Sequence, residues 1–398
     1  MAGHDQRKHA LLSASGAARW LNCTPSARLE DVIVKEESSI YAKEGTLAHE
    51  IAELLIQKLM YQGYNGPGSK YDILNKEIEK LQKHELYKPE MVGHVSDYAD
   101  FVLRVYAEAK KVDGLAELHL EERTDYTKYA PEGFGTSDAN IVGGGVLHIA
   151  DLKYGKGVKV DAENNSQLKL YALGMIEAFD LIHEINTVRM SIVQPRLNHF
   201  DTVEISRKEL EAWGVNVVRP AANLAYSGKG DKSAGSWCKW CKVKATCRAL
   251  ADKNLNLAKH EFATPSDLTL DEIGSILSAG EMLSEWLKAV KEYAYSEAMD
   301  GRKVKGFKLV HGTSRRKWIE EAEVIKGLKK EGLKLADIQE KKLKSISEIE
   351  KNIGSERFKE LGLTIRPSAA PALVPESSNK IEIGVESAKK DFEDDILN

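Results

Sequence analysis

Cysteine is scarce in this chain. The 398 residues contain four of them: Cys23 alone near the start, then Cys238, Cys241 and Cys247 close together in GSWCKWCKVKATCRAL. Long apolar runs are missing as well. None approaches the ~20 residues that cross a bilayer, so a membrane-spanning helix is not expected. The opening MAGHDQRKHALL lacks the long apolar stretch of a secretory signal, and the expected location is the cytoplasm. There thiols stay reduced, and spaced cysteines point to a metal or to catalysis before they point to disulfides. Net charge is nearly absent too, 57 basic against 61 acidic residues giving −4. A global attraction for nucleic acid is therefore excluded, and any affinity must come from local basic patches and bound cations. The sequence has no helicase phosphate-binding motif and hence no motor of its own, and no internal repeat.

What is present is an ordinary globular composition, 42% hydrophobic and 30% charged, in a chain too long for one small core. Residues 1–115 read as mostly helical. In EGTLAHEIAELLIQKLM, Thr46 is placed to cap a helix whose Leu47, Ala48, Ile51, Leu54 and Leu55 form an apolar stripe. In that frame His49 is the third helical residue and Glu53 lies one turn later on the same face. From 116 to 250 the period changes. Short strand-like runs, AELHLEER, SDANIVGG, GVLHIADLKY and NTVRMSIVQP, are separated by Gly and Asn turns, with a helical NNSQLKLYALGMIEAFD before the last of them. Strands, a helix and a further strand predict a small mixed sheet backed by helices, an α/β core. Residues 251–366 read as an α+β accessory region, and 367–398 as a disordered acidic tail.

The chemistry concentrates in GFGTSDANIVGGGVLHIADLKYGKG. Asp138 stands at the start of one strand-like run. Asp151 and Lys153 stand on the next, on one face because strand side chains alternate. Two carboxylates and an amine can then converge across a hairpin. Hard cations such as Mg²⁺ or Mn²⁺ select carboxylate oxygens, and a neighbouring lysine can orient an attacking water or stabilise charge on a phosphorus transition state. Taken singly, D-x-K is also a common solvated pair, and a helical His is more often packed or exposed.

As a set these residues resemble a known family. GTLAHEIAE with His49, GTSD with Asp138, DLK with Asp151 and Lys153, and QLKLY with Gln167 and Tyr171 occur in the order and spacing of RecB-like members of the PD-(D/E)XK nuclease superfamily. The split cysteines, one before the core and a C-x₂-C-x₅-C trio after it, resemble the iron–sulfur branch that includes AddB and CRISPR-associated RecB-like exonucleases. AENN before the Q-x-x-x-Y motif and YAPEGFGTSD around the first aspartate are most similar to uncharacterised phage and prophage members. The resemblance spans roughly residues 10 to 320. It implies a restriction-endonuclease-like core, with His49, Asp138, Asp151 and the carbonyl of Leu152 as ligands of Mg²⁺ or Mn²⁺. Lys153 would be the catalytic lysine, and Gln167 and Tyr171 would position substrate or the active-site strands. Glu121 would be a carboxylate that contacts the metal's ligands or a second metal; strand alternation puts Glu117 with it on one face and Glu122 opposite. Glu53 is a further candidate.

Cys23, Cys238, Cys241 and Cys247 would hold a 4Fe-4S cluster by resemblance, with tetrahedral zinc on the four thiolates as the alternative. The implied function is a metal-dependent DNA exonuclease that resects duplex ends in phage recombination or replication, beside a single-strand-annealing or recombination partner, in a bacterial host cell. A structure-specific endonuclease and a non-catalytic DNA-binding subunit are the alternatives. Lys153, Lys156 and Lys159 are the expected DNA contacts, with Lys303, Lys305, Lys308, Arg315, Arg316 and Lys317 as a second basic group. Trp237 and Trp240 are placed either to stack on bases or to pack around the metal.

Overall fold

The structure is a computed structural model, and it describes residues 10–33, 39–63, 66–261 and 270–307. The chain divides into two units, 1–295 and 296–398. Of the second, only residues up to 307 are described. Lys308, Arg315, Arg316, Lys317 and the acidic tail therefore lie outside the described residues. Lys303 and Lys305 are exposed.

Among the described residues five α-helices precede the sheet: α1 (Ala17–Asn22), α2 (Ser26–Asp31), α3 (Ile40–Met60), α4 (Lys70–Leu81) and α5 (Glu90–Val112). Strands β1 (Glu117–Asp125), β2 (Phe134–Gly143) and β3 (Val146–Leu152) follow, then α6 (Ser166–Phe179), β4 (Thr187–Gln194) and β5 (His199–Ser206). Helices α7 (Arg207–Trp213), α8 (Arg219–Ser227), α9 (Arg248–Glu261) and α10 (Leu270–Met299) complete the described elements. Strand order is β1-β2-β3-β4-β5, antiparallel throughout except for the parallel β3–β4 pair. A parallel neighbour cannot be reached by a hairpin, so α6 makes the crossover. The result is the expected mixed α/β arrangement, a five-stranded sheet flanked by helices.

Alternation along the strands sorts the core onto two faces. Val142, Leu147, Ile149, Val188, Met190 and Ile192 pack with α6, while Ala139, Ile141, Ala150, Leu152 and Val193 pack with α3 and α5. Helix α6 is buried on almost every side, from Leu168 to Ile176. Gly174 allows the close approach: a Cβ there would stand 2.4 Å from Thr124 Oγ1 and 2.8 Å from the Asp125 carbonyl. The α3/α5 layer is tied to the sheet by buried Tyr98, whose hydroxyl donates to the Ala150 carbonyl at 3.0 Å.

Two local expectations change. Helix α3 begins at Ile40 with Ser39 as its cap, accepting from Ala42 N–H. His49 is thus deep in the helix, and Thr46 donates to the Ala42 carbonyl instead of capping. Six helical residues, Ile40 to Gly45, precede Thr46, and the bonds they close outweigh its capping preference. Likewise β2 begins at Phe134, so Asp138 stands inside the strand and not at its start. Strand β5, HFDTVEIS, is not among the expected strand-like runs; its alternating burial is that of an edge strand with one face on the core.

Candidate active site

At the end of the β2–β3 ladder the last pair is Ala139 with Ala150. Beyond it Asp138 turns its carboxylate onto β3, and Oδ2 accepts the Leu152 N–H at 2.7 Å. The side chain thus replaces a missing ladder acceptor. Leu152 enters the site through this N–H, and its side chain is buried in the α3/α5 core. Asp151 follows Leu147 and Ile149 on the α6 face by strict alternation and is 2% exposed. The Lys153 ammonium stands 2.8 Å from Asp151 Oδ2.

Gln167 joins these groups. Its Nε2 donates to Asp151 Oδ1 and to the Tyr171 hydroxyl, both at 3.1 Å, and its Oε1 accepts from Lys153 Nζ at 3.1 Å. Its position follows from the helix start: Asn165 caps α6 by accepting from the N–H groups of Gln167 and Leu168. Tyr171 lies one turn later and packs against Gly135, where a Cβ would come within 2.7 Å of the ring.

On the α3 side, His49 Nδ1 is 3.4 Å from Asp138 Oδ1 and 3.8 Å from Glu121 Oε1. Single donor atoms from His49, Glu121 and Asp138 lie within 4.8 Å of one another, a spacing that can hold a metal ion. Glu121 reaches this point by breaking alternation. Leu118 and Leu120 pack with the α3/α5 core, yet Thr124 donates to the Tyr171 carbonyl on α6. The switch falls at Glu121, which has φ +47°, a left-handed conformation uncommon outside glycine. The expected pairing of Glu117 with Glu121 on one face is therefore incorrect; Glu117 pairs with His119 and His183 instead. Glu53 is outside the donor group and accepts from Gln57 at 2.9 Å.

The electrostatics are those of a site suited to a cation. Burial, reinforced by the Asp138 charge, raises Asp151 to about 6 despite Lys153. Burial also acts against the charges of Asp138, His49 and Lys153, and in each case the partners prevail. Asp138 is lowered, chiefly by His49; His49 is raised to about 10, chiefly by Asp138; Lys153 is raised, chiefly by Asp151. Asp151 Oδ2 is buried without an aligned hydrogen-bond donor, its lysine contact being ionic only. The carboxylates of Glu121, Asp138 and Asp151 are the donor type a hard divalent ion takes, and the His49 imidazole adds a borderline nitrogen donor.

A second centre lies at the cysteines. Cys23 ends α1, Cys238 closes a 3₁₀ turn (Ser236–Cys238), and Cys247 directly precedes α9. All four thiols, with Arg19, Trp237 and Leu250, line one small cavity of about 20 Å³. Burial raises the Cys238 thiol, and pushes Cys241 up to about 12. Thiolates there need a cation's compensation. Among the described residues, no three of these sulfurs lie within 4.8 Å of one another. Glu30 joins the segments, accepting from Arg19 at 3.0 Å and from the Lys242 N–H at 2.8 Å. Trp237 donates to the Ser233 carbonyl beside the cavity, while Trp240 is 70% exposed.

Among the described residues no helix is long and apolar enough to cross a membrane. Two solved structures show similarity. A protein from Eubacterium rectale, described as a "putative exonuclease", is 10% identical, with 68% of this chain and 95% of that chain covered at a TM-score of 0.33. SSO0001 is 16% identical, with 58% and 95% covered at a TM-score of 0.22. A family model matches residues 9–381, and the chain belongs to that family, described as a protein family of unknown function, DUF2800.

Proposed function

We propose that this protein is a divalent-metal-dependent deoxyribonuclease. The observation that carries the reading is the neighbourhood of two side-chain groups, His49 with Asp138 from α3 and β2, and Lys153 with Asp151 and Gln167 from the end of β3 and from α6, joined by the Asp138 bond to the Leu152 N–H. His49, Asp138, Asp151 and Glu121 would hold Mg²⁺ or Mn²⁺, with the Leu152 carbonyl as a further donor. When bound, such an ion supplies Lewis acidity and lowers the pKa of the attacking water. The residues themselves do the positioning. Lys153, kept charged by Asp151, faces the place where negative charge develops on a phosphoryl oxygen. Gln167 fixes Asp151 and Lys153 at once, and Tyr171 fixes Gln167.

End resection by an exonuclease, in phage recombination or replication and beside an annealing partner, is the finer reading, resting on the motif resemblance. Cys23, Cys238, Cys241 and Cys247 would hold a 4Fe-4S cluster as a structural staple. Tetrahedral zinc on the same four thiolates is the alternative, and metal analysis with the visible spectrum of anaerobically purified protein separates the two.

The test is degradation of end-labelled linear duplex and closed circular DNA with Mg²⁺ or Mn²⁺ by anaerobically purified protein beside Lys153→Ala. Metal-dependent loss of linear DNA alone, reduced at least about 10²-fold in the variant, is the expected result. Cutting of circles would make it an endonuclease. No cutting under any metal would leave the DNA-binding alternative.

A further inference from the structure

The chain leaves β3 through Lys153 into Tyr154-Gly155-Lys156-Gly157-Val158-Lys159, exposed from Gly155 to Lys159 and without regular structure. A single side chain holds it from below. Gln194, the last residue of β4 and 1% exposed, accepts from the Val160 N–H at 2.7 Å. It donates to the carbonyls of Val158 at 3.0 Å and Gly155 at 3.5 Å. Val160 is gripped from the other side as well, its carbonyl lying 3.0 Å from His199 Nε2. Two residues on, the Ala162 N–H donates to Asp201 at 2.7 Å. A buried amide is unfavourable unless satisfied, and here its partners are the backbone of a surface loop. The loop and Gln194 therefore order each other.

The glycines of this loop have no internal reason to be glycine. A Cβ on Gly155 or Gly157 would meet nothing within 4 Å, and neither residue has positive φ. Glycine is also the residue that lets the backbone approach a ligand closely. Lys156 and Lys159 stand in the same exposed stretch, Lys159 3.0 Å from Asp161. Backbone approach and ammonium groups together are how proteins hold phosphodiester backbones, positioning them without reading bases.

We propose that Gln194 is a positioning residue that pre-forms the 155–160 loop as a cradle for the nucleic-acid phosphate backbone beside the bond to be cut. The identity of the ligand rests on the nuclease reading. A loop released from Gln194 must be ordered when DNA binds, so affinity falls while the chemistry of Asp151 and Lys153 does not.

The test pairs binding of a labelled duplex by fluorescence anisotropy, in Ca²⁺ and over a range of salt, with steady-state cleavage in Mg²⁺. The proteins are wild type, Gln194→Ala, Gln194→Glu, Lys156→Ala, the Gln194→Ala/Lys156→Ala double variant, and Gly157→Val. Gln194→Ala and Gln194→Glu should raise Kd and KM about tenfold with kcat within about threefold. Lys156→Ala should reduce the salt slope by about 1. The double variant should lose less than the product of the single losses. Gly157→Val adds atoms to open space, so it keeps the fold and should weaken binding even if the Gln194 variants do not fold. Unchanged Kd in Gly157→Val, or in a folded Gln194→Ala, overturns the cradle, as does a fall in kcat at constant KM. Cleavage with Gln194-independent binding refutes the cradle and keeps the nuclease. The predicted binding pattern without any cleavage does the reverse.

Discussion

Asp138 is half-buried beside the His49 imidazole, and Asp151 is fully buried beside the Lys153 ammonium. Without a metal, the imidazole serves as the counter-ion of Asp138, with its pKa raised to about 10. A cation taking Nδ1 must displace that proton. Mn²⁺ binding at pH 7.5 is therefore expected to release about one proton, read by calorimetry in buffers of different ionisation enthalpy, and His49→Asn should abolish the release. His148 shows the opposite shift. Burial, with Arg189 nearby, lowers it to about 4, and its Nε2 lies 2.7 Å from the Ser191 hydroxyl. The unfolded chain takes up a proton below about pH 6.5 that the folded chain refuses until about pH 4, so ν of the unfolded state is the larger and stability falls on acidification through this window. Up to about 3 kcal/mol should be lost across it, and urea melts of His148→Gln should lack that component. Asp151 and Lys153 are legible where motif and alternation agree, whereas Gln167, on a helix, enters only through the motif resemblance. The placement of Glu121 is not legible, because its left-handed φ reverses the alternation on which that placement was argued.

Helix α6 is the element on which the site depends. It carries Gln167 and Tyr171, makes the parallel crossover, and lies against β1 at Gly174 with no room for a methyl group. Gly174→Ala would gain about 1 kcal/mol of helix propensity, yet overpacking against Thr124 and the Asp125 carbonyl costs typically 1–3 kcal/mol. A lower Tm is the expected outcome, together with weakened cleavage as Gln167 shifts from Asp151. Periodicity was enough to find α6, β1, β3 and β4. It missed the extra turns at the start of α3 and the identity of β5, since neither a weakly apolar helix start nor an edge strand carries a strong pattern.

Over the whole described chain, Cys23 and the 238–247 trio bring together segments more than two hundred residues apart, assisted by Glu30 to the Lys242 N–H and Thr24 to the Lys229 carbonyl. Everything proposed for catalysis lies in the loop so closed. Were a metal held by these thiols, as proposed, its loss would restore chain freedom to the unfolded state and leave buried thiols uncompensated. Cys23→Ser is expected to purify without stoichiometric metal, by elemental analysis and visible absorption. Its amide exchange should accelerate over 10–33 and 228–250 while β2, β3 and β4 stay protected. Equal protection in both segments would argue that the four thiols are not a staple.

The sequence alone determined the mixed α/β class, the placing of Asp151 on β3 with Lys153 two residues on, just past the strand's end, the one-turn spacing of Gln167 and Tyr171, and the spacing of the cysteine trio. These are properties of local period, and local period is written in the residues themselves. Tertiary structure decided the rest: that Asp138 closes the end of the β2–β3 ladder, that Glu121 turns toward His49, that Gln194 lies beneath the lysine loop, and that Cys23 meets its distant partners. Each of these depends on how two remote segments pack, and their meeting is fixed by the burial of the whole core, not by any pattern within either segment.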